Sequence, residues 1–274
     1  MKVIKTILQA INNEVEIYGM GDLHIGSANC NLQLIQDLIN YILKKKNRYV
    51  VFGGDMLDCT YVDSKGNVYE NEMQPQEALA YAVKLLMPLV KAGRVLCSCG
   101  GNHDDDRSMR LIGVSLAQQL AVLLGIGELY SSDSIMLLAK VGKGIKGKND
   151  RSAYYRIYIS HGNNGGGGTM GSRANALEKM ALIVPMADVY IHYHTHSPMV
   201  FKDQCVEIDE AHSICKWHER LFVNFNAFLN YFNSYAEKKL LKPQSQSIPV
   251  IRLKSVREFN GKIDRIYKNM TCEL

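Results

Sequence analysis

Five short apolar segments of this chain each end abruptly in glycine, aspartate, asparagine or histidine residues. The clearest is residues 94–99, which has the pattern of a buried strand and runs into Gly100-Gly101-Asn102-His103-Asp104. Four other predicted strands end in the same way: residues 15–20 before Gly21-Asp22-Leu23-His24, residues 48–52 before Gly53-Gly54-Asp55, residues 153–160 before His161, and residues 188–192 before Tyr193-His194-Thr195-His196. Ligand sites in open α/β sheets lie at the carboxyl ends of strands. The five groups are therefore expected to meet at one edge of a sheet, although each alone would indicate only a turn or an isolated histidine.

The rest of the chain supplies helices between these strands. Leucine and isoleucine recur at helical spacing after Gly26, and Pro75 is placed to open a second helix. Further helices are predicted over residues 111–124 and 173–184, and further strands over residues 2–11, 14–20 and 134–141. The alternation of strands and helices predicts an α/β fold with crossover connections.

As a set, the five motifs resemble those of the calcineurin-like metallophosphoesterases. That family has Asp-x-His, Gly-Asp-x-x-Asp, Gly-Asn-His-Asp/Glu, a further His and Gly-His-x-His in this order, and the resemblance covers roughly residues 15–200. It implies two stacked mixed β-sheets flanked by helices, a four-layer αββα sandwich. Residues 1–274 would form one domain, with the part from about residue 199 to 274 completing the second sheet. Tyr193 stands where the family usually has glycine, so the exit of that strand is expected to differ.

The resemblance also implies a site for two divalent metal ions. One ion would take Asp22, His24, Asp55 and His196, and the other would take Asp55, Asn102, His161 and His194. Nitrogen and oxygen ligands together favour Mn²⁺, with Fe or Zn²⁺ as alternatives, over Mg²⁺. By the same resemblance His103 would be the general acid that protonates the leaving oxygen, and Asp58 would hold its ring. A helix or turn cap is the other interpretation of Asp58.

Substrate contacts are predicted from position alone. Arg107 and Arg110 follow the Gly-Asn-His-Asp motif and would bind phosphate, or would instead pair with Asp105 or Asp106. The segment from Gly162 to Ser172, which includes Gly165 and Gly166, would form an anion-binding nest or a mobile lid. Tyr61 and Tyr69 lie in residues 59–74, a segment that would contact substrate or be a surface insertion.

Composition excludes other classes of protein. The chain of 274 residues is 47% hydrophobic and 22% charged, which is typical of a globular protein, and it has no run of about 18 apolar residues to span a membrane. Seven scattered cysteines without a Cys-x-x-Cys pair favour reduced thiols and a cytoplasmic location. The net charge of +5 is compatible with an anionic substrate but also with simple solubility. The oligomeric state is left open.

The substrate class is predicted from details of the motifs. The order Asp58-Cys59-Thr60 lacks the Asp-Arg-Gly of the Ser/Thr protein phosphatases, whereas Asp22, His24 and Gly26 give the Asp-x-His-x-Gly form of the DNA repair nuclease branch. Residues 235–251 resemble the tail of members carried by phages and prophages. The prediction is a two-metal phosphodiesterase that acts on a phosphate ester substrate in DNA or in a nucleotide. The alternatives are a phosphomonoesterase and a catalytically inert binding scaffold on the same fold.

Overall fold

The computed structural model describes residues 1–61, 71–142, 152–162, 169–259 and 264–274. In these ranges the strands are β1 (Lys2–Leu8), β2 (Glu14–Met20), β3 (Arg48–Phe52), β4 (Val95–Cys99), β5 (Tyr130–Ser131), β6 (Ser134–Val141), β7 (Ala153–Ser160), β8 (Val189–His192), β9 (Met199–Asp209), β10 (Ile214–Asn224), β11 (Val250–Phe259) and β12 (Asp264–Glu273). The helices are α1 (Leu32–Leu43), α2 (Pro75–Lys91), α3 (Ser108–Ile112), α4 (Leu116–Leu123), α5 (Met170–Glu178), α6 (Met180–Ile183) and α7 (Tyr235–Lys238). Among the described residues, no helix is long and apolar enough to cross a membrane.

The strands form two mixed sheets of six strands each within the described ranges. One has the order β1-β6-β7-β8-β10-β9, and the other has the order β12-β11-β2-β3-β4-β5. In the second sheet β2, β3, β4 and β5 are parallel, so their carboxyl ends lie at the same edge. In the first sheet β7, β8 and β10 are parallel in the same way. Each sheet therefore presents a set of strand ends that can carry functional side chains.

Three apolar clusters divide the molecule into layers. The first lies between the sheets and contains Ile17 and Val51 from one sheet and Ile157 and Ile191 from the other. The second joins the outer face of the β2–β3–β4 sheet to α1, α2 and α4, and the third joins the outer face of the other sheet to α5 and α6. The central strands are buried along almost their whole length because both of their faces are covered. This is the α/β sandwich of two sheets flanked by helices that the sequence predicts.

The described structure corrects the expected placement of the C-terminal third. Residues 199–274 do not complete one sheet: β9 and β10 extend the first sheet, whereas β11 and β12 extend the second. The two N-terminal strands are also separated between sheets, since β1 pairs with β6 and β2 pairs with β3 and β11. The turn at Asn12 and Asn13, both with positive φ, thus carries the chain from one sheet to the other.

The predicted helix over residues 111–124 is also revised. It is two helices, because Gly113 adopts a left-handed conformation that ends α3, and Ser115 caps α4 by accepting a hydrogen bond from the Gln118 N–H. Immediately before α3, Asn102–Arg107 forms a π-helical turn that the sequence did not indicate. Such turns are frequent at functional sites.

Candidate metal centre

The motifs at the five strand ends converge at the edge where the two sheets meet. Asp22 and His24 follow β2, Asp55 follows β3, and Asn102 follows β4. His161 follows β7, and His194 and His196 follow β8 in the other sheet. The structure thus brings together all seven residues for which the sequence predicted metal ligation.

The seven residues form two adjacent clusters. Asp22, His24 and His196 each offer a ligand atom within 4.8 Å of the others, and so do Asp55, His161 and His194. His161 lies between the clusters: its Nε2 is 3.3 Å from Asp55 Oδ2 and 4.0 Å from Asp22 Oδ1. The amide oxygen of Asn102 is 3.2 Å from the same nitrogen. Three oxygen atoms of the kind that ligate hard cations therefore surround one imidazole nitrogen.

Two buried atoms of the first cluster have no hydrogen bond to any residue that the structure describes. They are Asp22 Oδ1 and His24 Nε2, on side chains that are fully or almost fully buried, and Asp22 Oδ1 lies 3.3 Å from His196 Nε2. A buried polar atom without a partner costs about 1–3 kcal/mol, and more for a charged group. The other ends of these side chains are held, because Asp22 Oδ2 accepts a hydrogen bond from the His194 N–H at 2.9 Å and His24 Nδ1 lies 3.1 Å from Asp58 Oδ1. A cation beside Asp22 and His24 would satisfy both atoms, so the donor set fits a divalent metal.

The histidine of the second cluster is oriented in the same manner. His161 Nδ1 is 2.7 Å from the Gly53 carbonyl oxygen, so it donates there and leaves Nε2 free to face the carboxylates. Fixing one ring nitrogen by a carbonyl or carboxylate, with the other nitrogen left for the metal, is the usual support of a ligating histidine. Asp58 gives the corresponding support to His24 in the first cluster.

Asp58 also contacts His103, the residue whose ring the resemblance implies that it would hold. Its Oδ1 is 3.4 Å from His103 Nδ1, and its backbone oxygen is 3.0 Å from the same atom. Asp58 Oδ2 accepts a hydrogen bond from the Thr60 hydroxyl, and the His103 backbone N–H donates to Asp55 Oδ1 at 2.7 Å. The ring of His103 packs edge-on against His24 with centroids 4.6 Å apart. His103 is therefore fixed beside the metal centre while its Nδ1 is occupied by Asp58.

The charges of the centre shift the pKa values of its residues. Burial would lower the pKa of His161, but the Asp55 and Asp22 carboxylates raise it to about 10. Burial and the charge of His161 lower the pKa of His194 to about 4. The pKa of His103 is raised: burial opposes this, but the hydrogen bond to Asp58 and the charge of Asp55 outweigh it. Two buried carboxylates thus require positive charge between them, which is the condition that a bound cation meets.

The backbone at the centre is conformationally unusual. Five of the seven residues have positive φ, between 48° and 65°: Asp22, His24, Asp55, His194 and His196. Non-glycine residues rarely adopt this left-handed region, although Asp and His tolerate it better than most, and each instance costs of order 1–3 kcal/mol. Such strain is typical of functional sites, where the surrounding structure fixes side chains in one direction.

Tyr193 shows how the strand exit differs from the family pattern. Its side chain is fully buried directly beneath the centre, and a Cβ placed on Gly21 or Gly53 would lie only 2.5 or 2.2 Å from its ring. The ring stacks on Phe225 with centroids 5.4 Å apart, and its hydroxyl donates to the Val51 carbonyl oxygen at 3.4 Å. The tyrosine therefore forms a platform on which the glycines preceding Asp22 and Asp55 rest.

The predicted substrate contacts have different outcomes. The Arg107 guanidinium lies against the ring of His103, with Nη1 3.0 Å from Nδ1 and Nη2 3.2 Å from Nε2, and so reaches the site. Arg110 is exposed on α3 and does not line the cavity beside the centre. Gly165, Gly166 and Tyr69 lie outside the described residues.

Two supporting residues were not singled out from the sequence. Asp104 is fully buried and accepts hydrogen bonds from Met56 N at 2.7 Å and Gly101 N at 3.0 Å, which ties the loops after β3 and β4 together. Burial and the charge of Asp55 raise its pKa to about 7. Asn224, at the end of β10, accepts a hydrogen bond through its Oδ1 from His192 Nδ1 at 2.7 Å. The acidic residue of the Gly-Asn-His-Asp motif was the available signal for Asp104, whereas nothing marked Asn224.

Comparison with known proteins gives similar structures at low sequence identity. A conserved protein of Streptococcus pneumoniae TIGR4, described as a predicted phosphoesterase, has a TM-score of 0.34 and 11% identity, with 93% of this chain and 98% of that chain covered. Vps29 of Entamoeba histolytica complexed with zinc has a TM-score of 0.36 and 13% identity, with 94% and 97% covered. A double mutant of that Vps29 has a TM-score of 0.36 and 14% identity, with 95% and 97% covered. No protein-family model matches the sequence, and a search of curated proteins finds no match.

Proposed function

We propose that this protein is a metal-dependent phosphoesterase of the calcineurin-like type that uses two divalent ions to hydrolyse phosphodiesters. The observation that carries the proposal is a pair of buried ligand atoms that have no hydrogen bond to the described residues, Asp22 Oδ1 and His24 Nε2, adjacent to the Asp55, His161 and His194 cluster. Without a metal ion His24 Nε2 would stay unsatisfied, and Asp22 Oδ1 would face the ring nitrogens of His196 at 3.3 Å and His161 at 4.0 Å.

The residues of the centre divide into ligands and a proton donor. Bound ions would neutralise the phosphoryl oxygens and activate a water molecule for in-line attack. During hydrolysis the water oxygen would bond to phosphorus and release a proton to solvent, and the bond from phosphorus to the leaving oxygen would break. His103 would give its Nε2 proton to that oxygen, because Asp58 contacts Nδ1 and favours the charged ring, although the Arg107 guanidinium beside both ring nitrogens opposes that charge. Arg107 is placed to contact an anionic oxygen of the same phosphate.

The preference for diesters rests on the motifs and on cationic groups near the site. Asp58-Cys59-Thr60 lacks the Asp-Arg-Gly of the protein phosphatases, and Asp22, His24 and Gly26 share the form of the DNA repair nuclease branch. Mn²⁺ is the ion that we expect, with Fe or Zn²⁺ as alternatives, because the ligands mix imidazole, carboxylate and amide. DNA is the proposed polymer substrate, and contacts from Arg107 to phosphate would make its binding dependent on salt.

A metal-exchange screen tests the proposal. The protein is stripped of metal, reloaded with Mn²⁺, Zn²⁺, Fe²⁺ or Mg²⁺, and assayed on bis-p-nitrophenyl phosphate, p-nitrophenyl phosphate, and linear and circular DNA. We expect diester hydrolysis to exceed monoester hydrolysis, with Mn²⁺ the most active ion, and Asp55→Asn to abolish both. Good monoester hydrolysis without diester hydrolysis would show a phosphomonoesterase instead. Metal binding without hydrolysis of any of these esters would show an inert scaffold and would refute the enzymatic proposal.

A further inference from the structure

A cavity of about 470 Å³ opens beside one half of the metal centre. Its inner wall contains His24 and His196 of the first cluster together with His103, Asp58 and Arg107. His161 and His194 of the second cluster are not among the described residues that line it. The cavity is therefore on the side of the proton donor, where the leaving group of a phosphate ester would lie.

The opposite wall comes from residues 227–246, a segment that lies beyond every predicted ligand in the sequence. The lining residues on which the argument depends are Leu229, Asn230, Tyr231, Ala236, Leu241 and Lys242. We call this segment the C-terminal wall. It is anchored to the metal centre, because the Phe228 N–H donates to the Asp22 carbonyl oxygen at 3.1 Å and Leu229 forms a bridge to Cys30.

The C-terminal wall is also braced internally. The Tyr231 hydroxyl donates to the Leu241 carbonyl oxygen at 2.9 Å, which closes the segment into a loop. Arg173 of α5 donates to the side chain of Gln244 at 2.9 Å, and Gln246 donates to the Leu229 carbonyl oxygen at 2.9 Å. These hydrogen bonds connect the wall to α5 and to itself, which favours a cavity that is largely formed before a ligand enters.

The chemistry of the lining selects the kind of group that fits. Asp58 is the one carboxylate among the described lining residues, and it is already paired with His24, His103 and Thr60. A cationic leaving group would thus find no free negative partner. The cavity also contains the side-chain amides of Asn29, Asn71 and Asn230, and a purely alkyl group would bury these amides unsatisfied.

Arg107 and Lys242 also line the cavity, so the remaining features suit a flat, hydrogen-bonding group that carries no positive charge. The ring of Tyr231 and the aliphatic side chains of Leu229 and Leu241 offer apolar contact, and amides can both donate to and accept from a nucleobase edge. We propose that this cavity is the subsite for a nucleoside on the leaving-group side of the phosphodiester. The inference rests on the proposed function for the position of the phosphate, and it assigns the substrate class to nucleotides. The nucleoside could come from a short nucleotide diester or from the end of a nucleic acid strand.

Direct binding tests the subsite without relying on hydrolysis. Thymidine, adenosine, ribose and a free base are titrated by calorimetry into the Mn²⁺-loaded protein. We expect both nucleosides to bind at millimolar concentration or below and to inhibit diester hydrolysis competitively, with ribose and the free base each at least 10-fold weaker. Equal binding of ribose would show a sugar subsite and would overturn the assignment, as would the absence of nucleoside binding.

Variants of the C-terminal wall locate the binding. Ala236→Trp fills the cavity and is expected to weaken nucleoside binding at least 10-fold. Leu240→Trp places the same side chain on the same segment at a residue that is 90% exposed and does not line the cavity, and it should leave binding unchanged. Asn230→Ala removes an exposed amide with little risk to folding and should weaken binding about 2- to 10-fold. Unchanged binding in both Ala236→Trp and Asn230→Ala would refute the subsite.

The outcomes separate this inference from the proposed function. Nucleoside binding without hydrolysis of any ester would leave the subsite standing and remove the enzymatic proposal. Diester hydrolysis without nucleoside binding would refute the subsite and leave the enzymatic proposal standing. A dinucleoside monophosphate and a circular single strand then distinguish the two sources, because only the circular strand lacks an end to insert.

Discussion

Replacing Tyr193 tests whether the platform beneath the metal centre fixes the ligands. The Tyr193→Ala variant removes a ring that is fully buried against Phe225 and against the backbone of Gly21 and Gly53. Truncation of a buried aromatic side chain to alanine costs about 3–5 kcal/mol, as lost burial plus an unfilled cavity. Glycines have no side chains with which to fill the space, so we expect the upper part of this range.

This free energy converts to a measurable change in melting temperature. For a chain of this size each kcal/mol corresponds to roughly 2–4 °C, so a cost of about 4–5 kcal/mol should lower the Tm of the metal-free Tyr193→Ala protein by about 8–20 °C. Tyr193→Phe keeps the ring and loses only the long hydrogen bond to Val51, and it should cost no more than about 1 kcal/mol. Scanning calorimetry of the metal-free forms measures both changes.

The two Tyr193 variants should also differ in their affinity for Mn²⁺. Because Gly21 and Gly53 lead into the loops that carry Asp22 and Asp55, the alanine variant should also bind Mn²⁺ more weakly, whereas the phenylalanine variant should bind it as the unmodified protein does. A Tm within about 2 °C of the unmodified protein for Tyr193→Ala, or equal Mn²⁺ affinity in both variants, would refute the role of the ring.

Three further predictions concern the centre itself. Protein purified without chelator should carry two transition metal ions per chain, as measured by elemental analysis. Asp55→Asn should lose both ions, whereas Asp22→Asn should mainly empty one site. Binding of at most one ion in excess Mn²⁺ would contradict the two-metal centre. His103→Ala should keep its metals yet lose ~10²–10⁴ in rate on esters with poor leaving groups and less on p-nitrophenyl esters; equal losses on both ester types would contradict the role of proton donor. Gly101→Ala should lose metal and activity because its Cβ would lie 2.2 Å from the Asp55 N and Oδ1 atoms, whereas Gly171→Ala, whose Cβ would meet no described atom within 4 Å, should bind metal normally.

The convergence of these residues at one edge was predictable because they follow strands at short, regular spacings. Apolar runs that end in Asp22, Asp55 or Asn102 are local signals, and parallel strands bring their ends together without further information. The division of strands between sheets was not predictable in this way. Pairing of β11 with β2 joins residues more than 200 positions apart, and neither segment has a local sequence pattern that indicates which strand it pairs with. The placement of the C-terminal wall over the centre depends on the same long-range pairings.

Local surprises had a different cause. The break at Gly113 depends on a left-handed conformation that the glycine permits but does not require, and the π-helical turn at Asn102–Arg107 depends on contacts with Asp55 and Asp58. Tyr193 was visible as a departure from the family pattern, but its role depends on the absence of side chains at Gly21 and Gly53 in another sheet. Each of these features arises from tertiary contacts that the local sequence does not encode.

The pairing of β2 with β11 bears on how the protein is completed during synthesis. β2 carries Asp22 and His24 at its end, yet one of its two neighbours is Val250–Phe259. When synthesis has reached His196, the nascent chain contains every proposed ligand. At that stage the β2 edge that later pairs with β11 is still exposed to solvent. The ribosome must add more than fifty further residues before that edge is covered, and premature termination in this interval would yield a chain with a full ligand set on an unprotected, aggregation-prone strand.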